Sequence, residues 1–264
     1  MRVLAYHSVS DATADAGSDQ FAVTSRVFRE HLKLLKASRF NFVTGSQFAN
    51  AVMGVGRLPS RSVLITLDDG YADQFHTAAP ILADMGVPAV VFVVTALIGR
   101  SSDWATKTTY PLCGVAELRE FARYGIEIGA HSRTHQDLVR ASTRDLFDEV
   151  AGSRADLEAL GFPSPPLFAF PYGAHDARVR DAVRRAGFAL AFATHPRSVH
   201  PGDDPFQVPR FSVRSHHGGL RFRAWLELGG RFGGLYLSNP AAPPRPQRRP
   251  WVILPRGKRQ RRRW

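Results

Sequence analysis

Short apolar runs alternate with amphipathic stretches along most of the chain, and this pattern predicts β-strands separated by helices. The apolar runs are rich in β-branched residues and hold few polar positions, which is typical of strands buried on both faces of a parallel sheet. We predict strands at Arg2–Tyr6, Phe40–Val43, Val63–Leu67, Ala89–Val94, Ile126–Ala130, Leu167–Phe170, Phe188–Ala193 and Gln207–Val213.

Between these runs, apolar residues recur at helical spacing, and a glycine follows the last turn of most of the stretches. We predict helices over Ser25–Ala37, from Ser46 to near Gly54, and over Ala72–Met85, Val115–Tyr124, Thr143–Leu160 and Asp176–Ala186. Such alternation forms either a (β/α) barrel or a doubly wound open sheet. Several of the predicted strands end in polar residues. A doubly wound sheet would instead place its site at one switch point between two strands. This favours a distorted (β/α) barrel with seven or eight parallel strands.

The end of the chain has a different composition. Nine of the 35 Arg and Lys residues, and no acidic residue, lie in residues 241–264, so much of the net charge of +12 belongs there. We therefore divide the chain into a folded domain over 1–239 and a disordered, Pro- and Arg-rich basic tail over 240–264. The tail either contacts an anionic membrane or polymer, or is an extension without a partner. The folded domain lacks a basic stripe with stacking aromatics, so we expect no specific nucleic-acid binding.

The sequence also suggests a location. No apolar run reaches the roughly 18 residues of a membrane span. The first residues, Met1 to His7, enter a predicted strand without the apolar region of a secretory signal. The single cysteine, Cys113, excludes an intramolecular disulfide and agrees with a reducing compartment. We expect a cytoplasmic protein, or one that is peripheral at the inner membrane face.

Two adjacent carboxylates, Asp68 and Asp69, end the predicted strand Val63–Leu67 and are followed by Gly70. Adjacent carboxylates repel each other, so such a pair is usually kept for a cation or a proton transfer. The simpler interpretation is a turn in which one aspartate caps the next helix. The residues around the pair leave both interpretations open.

Two histidines follow another strand, Ile126–Ala130. His131 and His135 are four residues apart, and on one face of a helical turn both imidazoles would reach one cation. One carboxylate and two histidines form a mononuclear metal set that leaves positions open for water and substrate. The carboxyl ends of parallel strands meet at one edge of a sheet, which is why a carboxylate of the Asp pair is a suitable third ligand.

A third motif, Phe170-Pro171-Tyr172-Gly173, also ends a strand and by itself is an ordinary turn. In order along the chain, Thr66-Leu67-Asp68-Asp69-Gly70, His131-Ser-Arg-Thr-His135 and this motif resemble the polysaccharide deacetylases of the nodulation type, carbohydrate esterase family 4. The third motif is similar to that of the subgroup with F-A-[FY]-P-Y-G. The resemblance covers roughly residues 1–215.

The resemblance implies that residues 1–239 form the catalytic domain of a metal-dependent hydrolase. Such an enzyme removes N-acetyl groups from an N-acetylated glycan or glycolipid, its substrate partner. Asp69, His131 and His135 would hold one divalent ion, which in this family is usually Zn²⁺.

The resemblance also assigns roles in the reaction. Asp68 would be the general base that takes a proton from the attacking water. The backbone N–H of Tyr172, in the turn opened by Pro171, would help to hold the oxyanion.

The chain departs from the family pattern at two points. The arginine that begins the third motif in many members is replaced by Ala169, and Arg210 is a candidate to pair with the base instead. The Leu-x-x-His motif, which supplies the general acid, has no clear copy after Tyr172. The histidines considered for this role are His7, at the end of the first predicted strand, and His195, His200, His216 and His217, which follow Tyr172. The alternative hypothesis is therefore a non-catalytic or weakly active glycan-binding protein that retains the fold.

Overall fold

A computed structural model describes residues 1–11, 19–102, 104, 109–162 and 167–229, so the predicted tail over 240–264 lies outside the described residues. The strands are β1 Arg2–Tyr6, β2 Asn41–Phe42, β3 Ser62–Leu67, β4 Ala89–Val93, β5 Ile126–Ala130, β6 Leu167–Ala169, β7 Leu190–Phe192 and β8 Phe211–Ser212. The helices are α1 Ser25–Ala37, α2 Gly45–Val52, α3 Ala79–Asp84, α4 Val115–Glu120, α5 Thr143–Ala159, α6 Ala177–Arg185 and α7 Gly219–Gly229.

The strands form one parallel sheet in the order β7-β6-β5-β4-β3-β1-β8, with β2 pairing with the beginning of β3. A single segment connects the two edges of this sheet. Val208 bridges to Phe192 of β7, and β8 pairs with β1 three residues later. The sheet therefore curls until its edges are joined through residues 208–212. This confirms the predicted distorted (β/α) barrel.

The strand side chains divide into two apolar layers. Leu64, Val90, Phe92 and Phe192 belong to a cluster inside the curled sheet. Their neighbours along the strands, such as Ile65, pack in a second cluster with the helices. Strand side chains alternate between faces, so Thr66 and then the first aspartate continue the inner row that Leu64 begins.

Helix α2 packs at the end of the barrel where the strands begin. Thr44, rather than the predicted Ser46, is its N-cap, and it forms a capping box with Gln47. Ser46 instead donates from its backbone N–H and its hydroxyl to the carboxylate of Glu127. Phe48 of the same helix is fully buried in the inner cluster, so α2 closes this end of the barrel.

Other differences from the predicted elements are local. The predicted helix over 72–85 contains a π-helical turn at Gln74–Ala78 before α3, and a 3-10 turn at Pro205–Gln207 shortens the last predicted strand. Helix α7 was not predicted, because its apolar residues largely alternate with polar ones instead of recurring at helical spacing, and glycines flank them. It packs on α1, where Phe222 stacks on His31. Within the described residues, no helix is long and apolar enough to cross a membrane.

Candidate metal centre and active site

Asp69, His131 and His135 converge where β3 and β5 end. The Oδ1 atom of Asp69 lies 3.5 Å from Nε2 of His131 and 3.2 Å from Nε2 of His135. All three side chains are buried, and one ligand atom from each lies within 4.8 Å of the others. This is the spacing that three ligands adopt around one ion.

The polar atoms of the cluster fit a cation. Oδ1 of Asp69 is buried and forms no hydrogen bond within the described part of the chain. The Nδ1 atom of His131 lies 2.8 Å from the carbonyl oxygen of Ala169, which can only accept a hydrogen bond. Nδ1 therefore carries the proton, and the lone pair of Nε2 faces the carboxylate. A divalent ion would satisfy both the buried oxygen and this lone pair.

The electrostatics of the cluster also suit metal ligands. Burial lowers the pKa of His131 to about 4, against the effect of the two aspartates beside it. Burial raises the pKa of Asp69, but His135 and the other nearby histidines outweigh it and hold this pKa well below its usual range. A neutral imidazole and an ionised carboxylate are the forms that bind a metal.

The two histidines do not lie on a helical turn, so the prediction that a helical turn brings them together is wrong. Residues 131–135 form a loop, in which Ser132 and His135 have left-handed φ angles of 62° and 59°. The Ser132 hydroxyl accepts a hydrogen bond of 3.0 Å from the backbone N–H of His135. The loop therefore brings both imidazoles to Asp69 through two unusual backbone conformations.

A carboxylate from α5 holds this loop. Glu149, which is only 4% exposed, accepts hydrogen bonds from the backbone N–H groups of Arg133 and Thr134, at 3.0 and 2.9 Å, and one from the Thr134 hydroxyl. The Arg133 side chain extends outward and pairs with Asp148 and Asp156 of the same helix. Nothing in the local sequence links position 149 to the histidine loop, so Glu149 was not among the predicted site residues.

Asp68 forms a buried ion pair with Arg210. The two nitrogens of the Arg210 guanidinium each lie 2.7 Å from one oxygen of Asp68, and neither residue is more than 2% exposed. Burial alone would raise the pKa of Asp68, but the charge and hydrogen bonds of Arg210 outweigh it, so the pKa lies below its usual value. Asp68 is thus held ionised and in a fixed orientation.

Arg210 forms further hydrogen bonds and also lies beside two aromatic rings. It donates to the carbonyl oxygen of Ala193 at 3.2 Å and to the hydroxyl of Thr66 at 3.1 Å. Its guanidinium also lies 5.6 Å from the ring centre of Phe92 and 5.9 Å from that of Phe192. Arg210, the candidate partner of Asp68 in the sequence, thus occupies the inside of the barrel, on the segment that joins its edges.

Aromatic rings line the approach to the cluster. The ring of Trp104 stacks on His135 with centres 4.3 Å apart, and the ring of Tyr172 meets the same imidazole edge-on at 4.7 Å. Tyr172 follows Pro171 in a 3-10 turn, has a left-handed φ of 59°, and is 53% exposed. Gly173 lies so close to Thr194 that a Cβ atom would clash with it. The Pro-Tyr-Gly turn therefore needs its glycine to fit beside β7.

Among the histidines outside the metal cluster, His7 is the one beside both aspartates. It follows β1 directly, and a positive charge on it would lower the pKa of Asp68 and of Asp69. Its Nδ1 atom is buried and forms no hydrogen bond within the described residues. His195, His200 and His216 are exposed, and His217 is buried against Trp225. The sequence placed His7 at a strand end, but could not show which histidine reaches the aspartates.

Tyr71 is a further residue that the sequence analysis did not single out. It is 5% exposed, and burial together with the nearby Asp69 carboxylate raises its pKa well above its usual value. Its ring lies 4.6 Å from that of Tyr110 and 6.4 Å from that of Trp104. A row of rings therefore extends from Tyr110 to His135 of the candidate metal centre.

Comparisons with known proteins agree on the family. A family profile described as polysaccharide deacetylase matches residues 56–191. YxkH of Bacillus subtilis (strain 168), which is named for the same family, is 24% identical over 226 residues, covering 85% of this chain and 75% of its own length. The poly-β-1,6-N-acetyl-D-glucosamine N-deacetylase of Staphylococcus aureus (strain N315) is 24% identical over 198 residues, covering 73% of this chain and 68% of its own. The structure of IcaB from Ammonifex degensii superposes with a TM-score of 0.72 at 25% identity, covering 86% of this chain and 94% of that one. This chain belongs to the polysaccharide deacetylase family.

Proposed function

We propose that this protein hydrolyses the acetamide of an N-acetylated glycan with the help of one divalent ion, Zn²⁺ being the preferred one. The observation that carries the proposal is the buried Asp69–His131–His135 cluster directly beside the ionised Asp68. The products are acetate and a free amine on the sugar. The division into a catalytic domain over 1–239 and a basic tail over 240–264 is part of the same proposal.

The substrate class follows from the relatives. The name of the Staphylococcus aureus protein gives its substrate as poly-β-1,6-N-acetyl-D-glucosamine. We propose a polymer of N-acetylated amino sugars for this chain, with a lipid-linked sugar as the variant to be tested beside it. Rings such as Trp104 and the half-exposed Tyr172 stand next to the cluster and are suited to stack on sugar faces.

In the proposed reaction, the bound ion would polarise the acetamide carbonyl and lower the pKa of a water molecule. Asp68 accepts a proton from the attacking water, and Arg210 keeps the carboxylate ionised and oriented for this transfer. The backbone N–H of Tyr172 donates to the developing oxyanion. His7 donates a proton to the leaving amine. Leu4-Ala5-Tyr6-His7 has the Leu-x-x-His spacing, although it precedes the other motifs instead of following Tyr172.

The test combines acetate release with metal content, using the full chain and a panel of N-acetylated polymers, lipid-linked sugars and small amino sugars. We expect about one zinc ion per chain, and none in Asp69→Ala or His135→Ala. Asp68→Asn should retain the metal and release acetate about 10²- to 10⁴-fold more slowly, as should His7→Gln. Unchanged acetate release from Asp68→Asn would show that this aspartate is not the base.

The second candidate function is a glycan-binding protein that keeps the fold without turnover. The absence of a clear Leu-x-x-His motif after Tyr172 favours it. It predicts that the unmodified chain binds the polymer and releases no acetate even when loaded with zinc. Binding with turnover would exclude it.

Two further predictions concern the partner of the basic tail and the location of the protein. One is a contact of the basic tail with an anionic membrane or polymer, and the other is a cytoplasmic or inner membrane-face location. The tail's excess of arginine supports the first. Vesicle binding by the full chain and by a chain ending at Pro240 would test it.

A further inference from the structure

The end of the barrel opposite the metal centre is strongly basic. Residues 31–67 contain five Arg and Lys residues and no acidic residue. They include the end of α1, all of α2 and the start of β3, where β2 pairs with it. Because β3 extends six residues from this end to Asp68, the two ends lie about 20 Å apart. We call the surface formed by Arg2, Lys36, Arg39, Arg57, Arg61, Met53 and Val55 the basal face.

The basal face surrounds an open cleft of about 580 Å³. Lys36 and Arg57 line it, together with Phe40 and the amide side chains of Asn41 and Asn50. The guanidinium groups of Arg2 and Arg61 lie 5.0 and 4.5 Å from the ring centre of Phe40. The cations therefore form a contiguous group around one ring. Glu30 and Asp68 flank residues 31–67 in the chain. Asp84, which precedes the Met85 carbonyl that accepts a hydrogen bond from Lys36, is paired with Arg29.

Two exposed apolar side chains lie on the same face. Met53 is 46% exposed and Val55 is 77% exposed. Val55 stands between Gly54 and Gly56, and its backbone N–H donates to the carbonyl of Asn50, which lines the cleft. These apolar side chains are thus the tip of a short loop beside the cations.

We propose that the basal face docks on an anionic lipid bilayer. The cations match the charge of phospholipid headgroups, each contributing about a fivefold increase in binding near such a surface. The apolar tip distinguishes this partner from a soluble polyanion, because a bilayer can bury Met53 and Val55 and a nucleic acid or acidic polysaccharide has nothing equivalent to offer. Docking in this orientation directs the metal centre away from the bilayer, toward solvent. The proposal does not depend on the proposed function.

The experiment measures co-sedimentation of the full chain with vesicles of phosphatidylglycerol and phosphatidylcholine, against vesicles of phosphatidylcholine alone. The test variant combines Lys36→Glu and Arg57→Glu. The matched control combines Arg123→Glu and Arg185→Glu, two side chains that are each 80% exposed elsewhere, so both variants have the same net charge and the same tail. We expect the basal variant to lose about 25-fold or more in binding and the control less than about threefold.

A second variant, Val55→Asp, tests the apolar contact. It should lower binding to anionic vesicles by at least about fivefold, leave acetate release from a soluble substrate unchanged, and keep the unfolding midpoint, because the side chain is exposed. Equal losses in the two charge variants would mean that net charge or the tail alone attracts the vesicles, and would overturn the proposal. Full vesicle binding by Val55→Asp would also overturn it, in favour of a site for soluble polyanions.

Discussion

At the scale of single residues, the ion pair between Asp68 and Arg210 affects both the stability of the fold and the charge of Asp68. A buried charge without its partner is costly, so each residue makes the other tolerable inside the barrel. The pair also fixes which aspartate is free to bind a metal. Asp68 has both oxygens occupied by the guanidinium, whereas the buried Oδ1 of Asp69 faces two imidazoles. Asp68 and Asp69 are adjacent in the sequence, but their carboxylates therefore have different partners.

Replacing Arg210 should therefore affect both stability and the pH dependence of activity. We expect Arg210→Met to lower the free energy of unfolding by about 3–5 kcal/mol, because it leaves Asp68 buried and unpaired. Arg210→Lys keeps the charge but not the two parallel hydrogen bonds, so it should lose less stability. In Arg210→Lys the pKa of Asp68 rises, and the acid limb of the rate profile should move to higher pH.

Urea unfolding and a pH–rate profile check this prediction. Arg26→Met is the matched control, because the Arg26 side chain is 83% exposed and should change stability by no more than about 0.5 kcal/mol. An Arg210→Met protein as stable as the unmodified chain would contradict the assignment of a buried pair.

At the scale of elements, helix α5 positions the loop that carries His131 and His135. Loop residues Ser132 and His135 have left-handed backbone angles, which non-glycine residues rarely adopt unless other contacts compensate. The carboxylate of Glu149 supplies such contacts by accepting from two consecutive backbone N–H groups. The loop conformation is thus tied to a helix that begins eight residues later.

Removing the Glu149 carboxylate should weaken metal binding from a distance. In Glu149→Ala, two partly buried N–H groups lose their acceptor, which costs about 1–3 kcal/mol, and the loop is free to leave its left-handed conformation. We expect zinc affinity to fall by about 10- to 100-fold. Glu149→Gln retains one amide oxygen as acceptor and should recover part of the affinity.

Competition of each variant with a zinc-binding dye measures this effect. Asp148→Ala is the control, since Asp148 is the next residue of the same helix, is 66% exposed, and contacts only the Arg133 side chain of the loop. Zinc affinity in Glu149→Ala equal to that in Asp148→Ala would rule out the positioning role.

At the scale of the whole molecule, a buried histidine of α1 joins the first strand to the last described helix. His31 of α1 lies between the Tyr6 hydroxyl of β1, at 3.2 Å, and the carbonyl oxygen of His217, and it stacks on Phe222 of α7 with ring centres 3.8 Å apart. Burial lowers the pKa of His31 to about 4, and burial with the neighbouring His216 does the same for His217. The folded protein therefore keeps both imidazoles neutral.

This predicts a loss of stability in mild acid. The unfolded chain takes up a proton at each histidine near pH 6.5, whereas the folded protein does so only near pH 4. Between these values the unfolded state binds more protons, so the stability present above pH 6.5 falls as the pH falls toward 4, by roughly 2–3 kcal/mol for His31.

Urea unfolding at several pH values from 7 to 4 would measure the slope. A His31→Gln variant, which cannot titrate, should be less stable at pH 7 but show a flatter dependence on pH. The exposed His200 provides the control, because His200→Gln should leave the slope as it is. An equal slope in His31→Gln and the unmodified protein would contradict the prediction.

The sequence by itself determined the alternation of strands and helices, and with it the barrel. It also placed Asp68, Asp69, His131, His135 and Tyr172 at strand ends. These features could be predicted because apolar periodicity is local, and because the carboxyl ends of parallel strands meet at one edge.

Only the tertiary structure decided how those residues divide their tasks. Asp68 and Arg210 are 142 residues apart, and they meet because the segment after β7 joins the two edges of the barrel. Other contacts between distant segments are of the same kind. Glu149 reaches the histidine loop, His7 lies beside the aspartates, and the basal cations gather around Phe40. Contacts between distant segments depend on closure of the sheet and on the packing of helices around it, which no local pattern encodes. The residues of the site could thus be found in the sequence, whereas the contacts that orient them and set their charge could not.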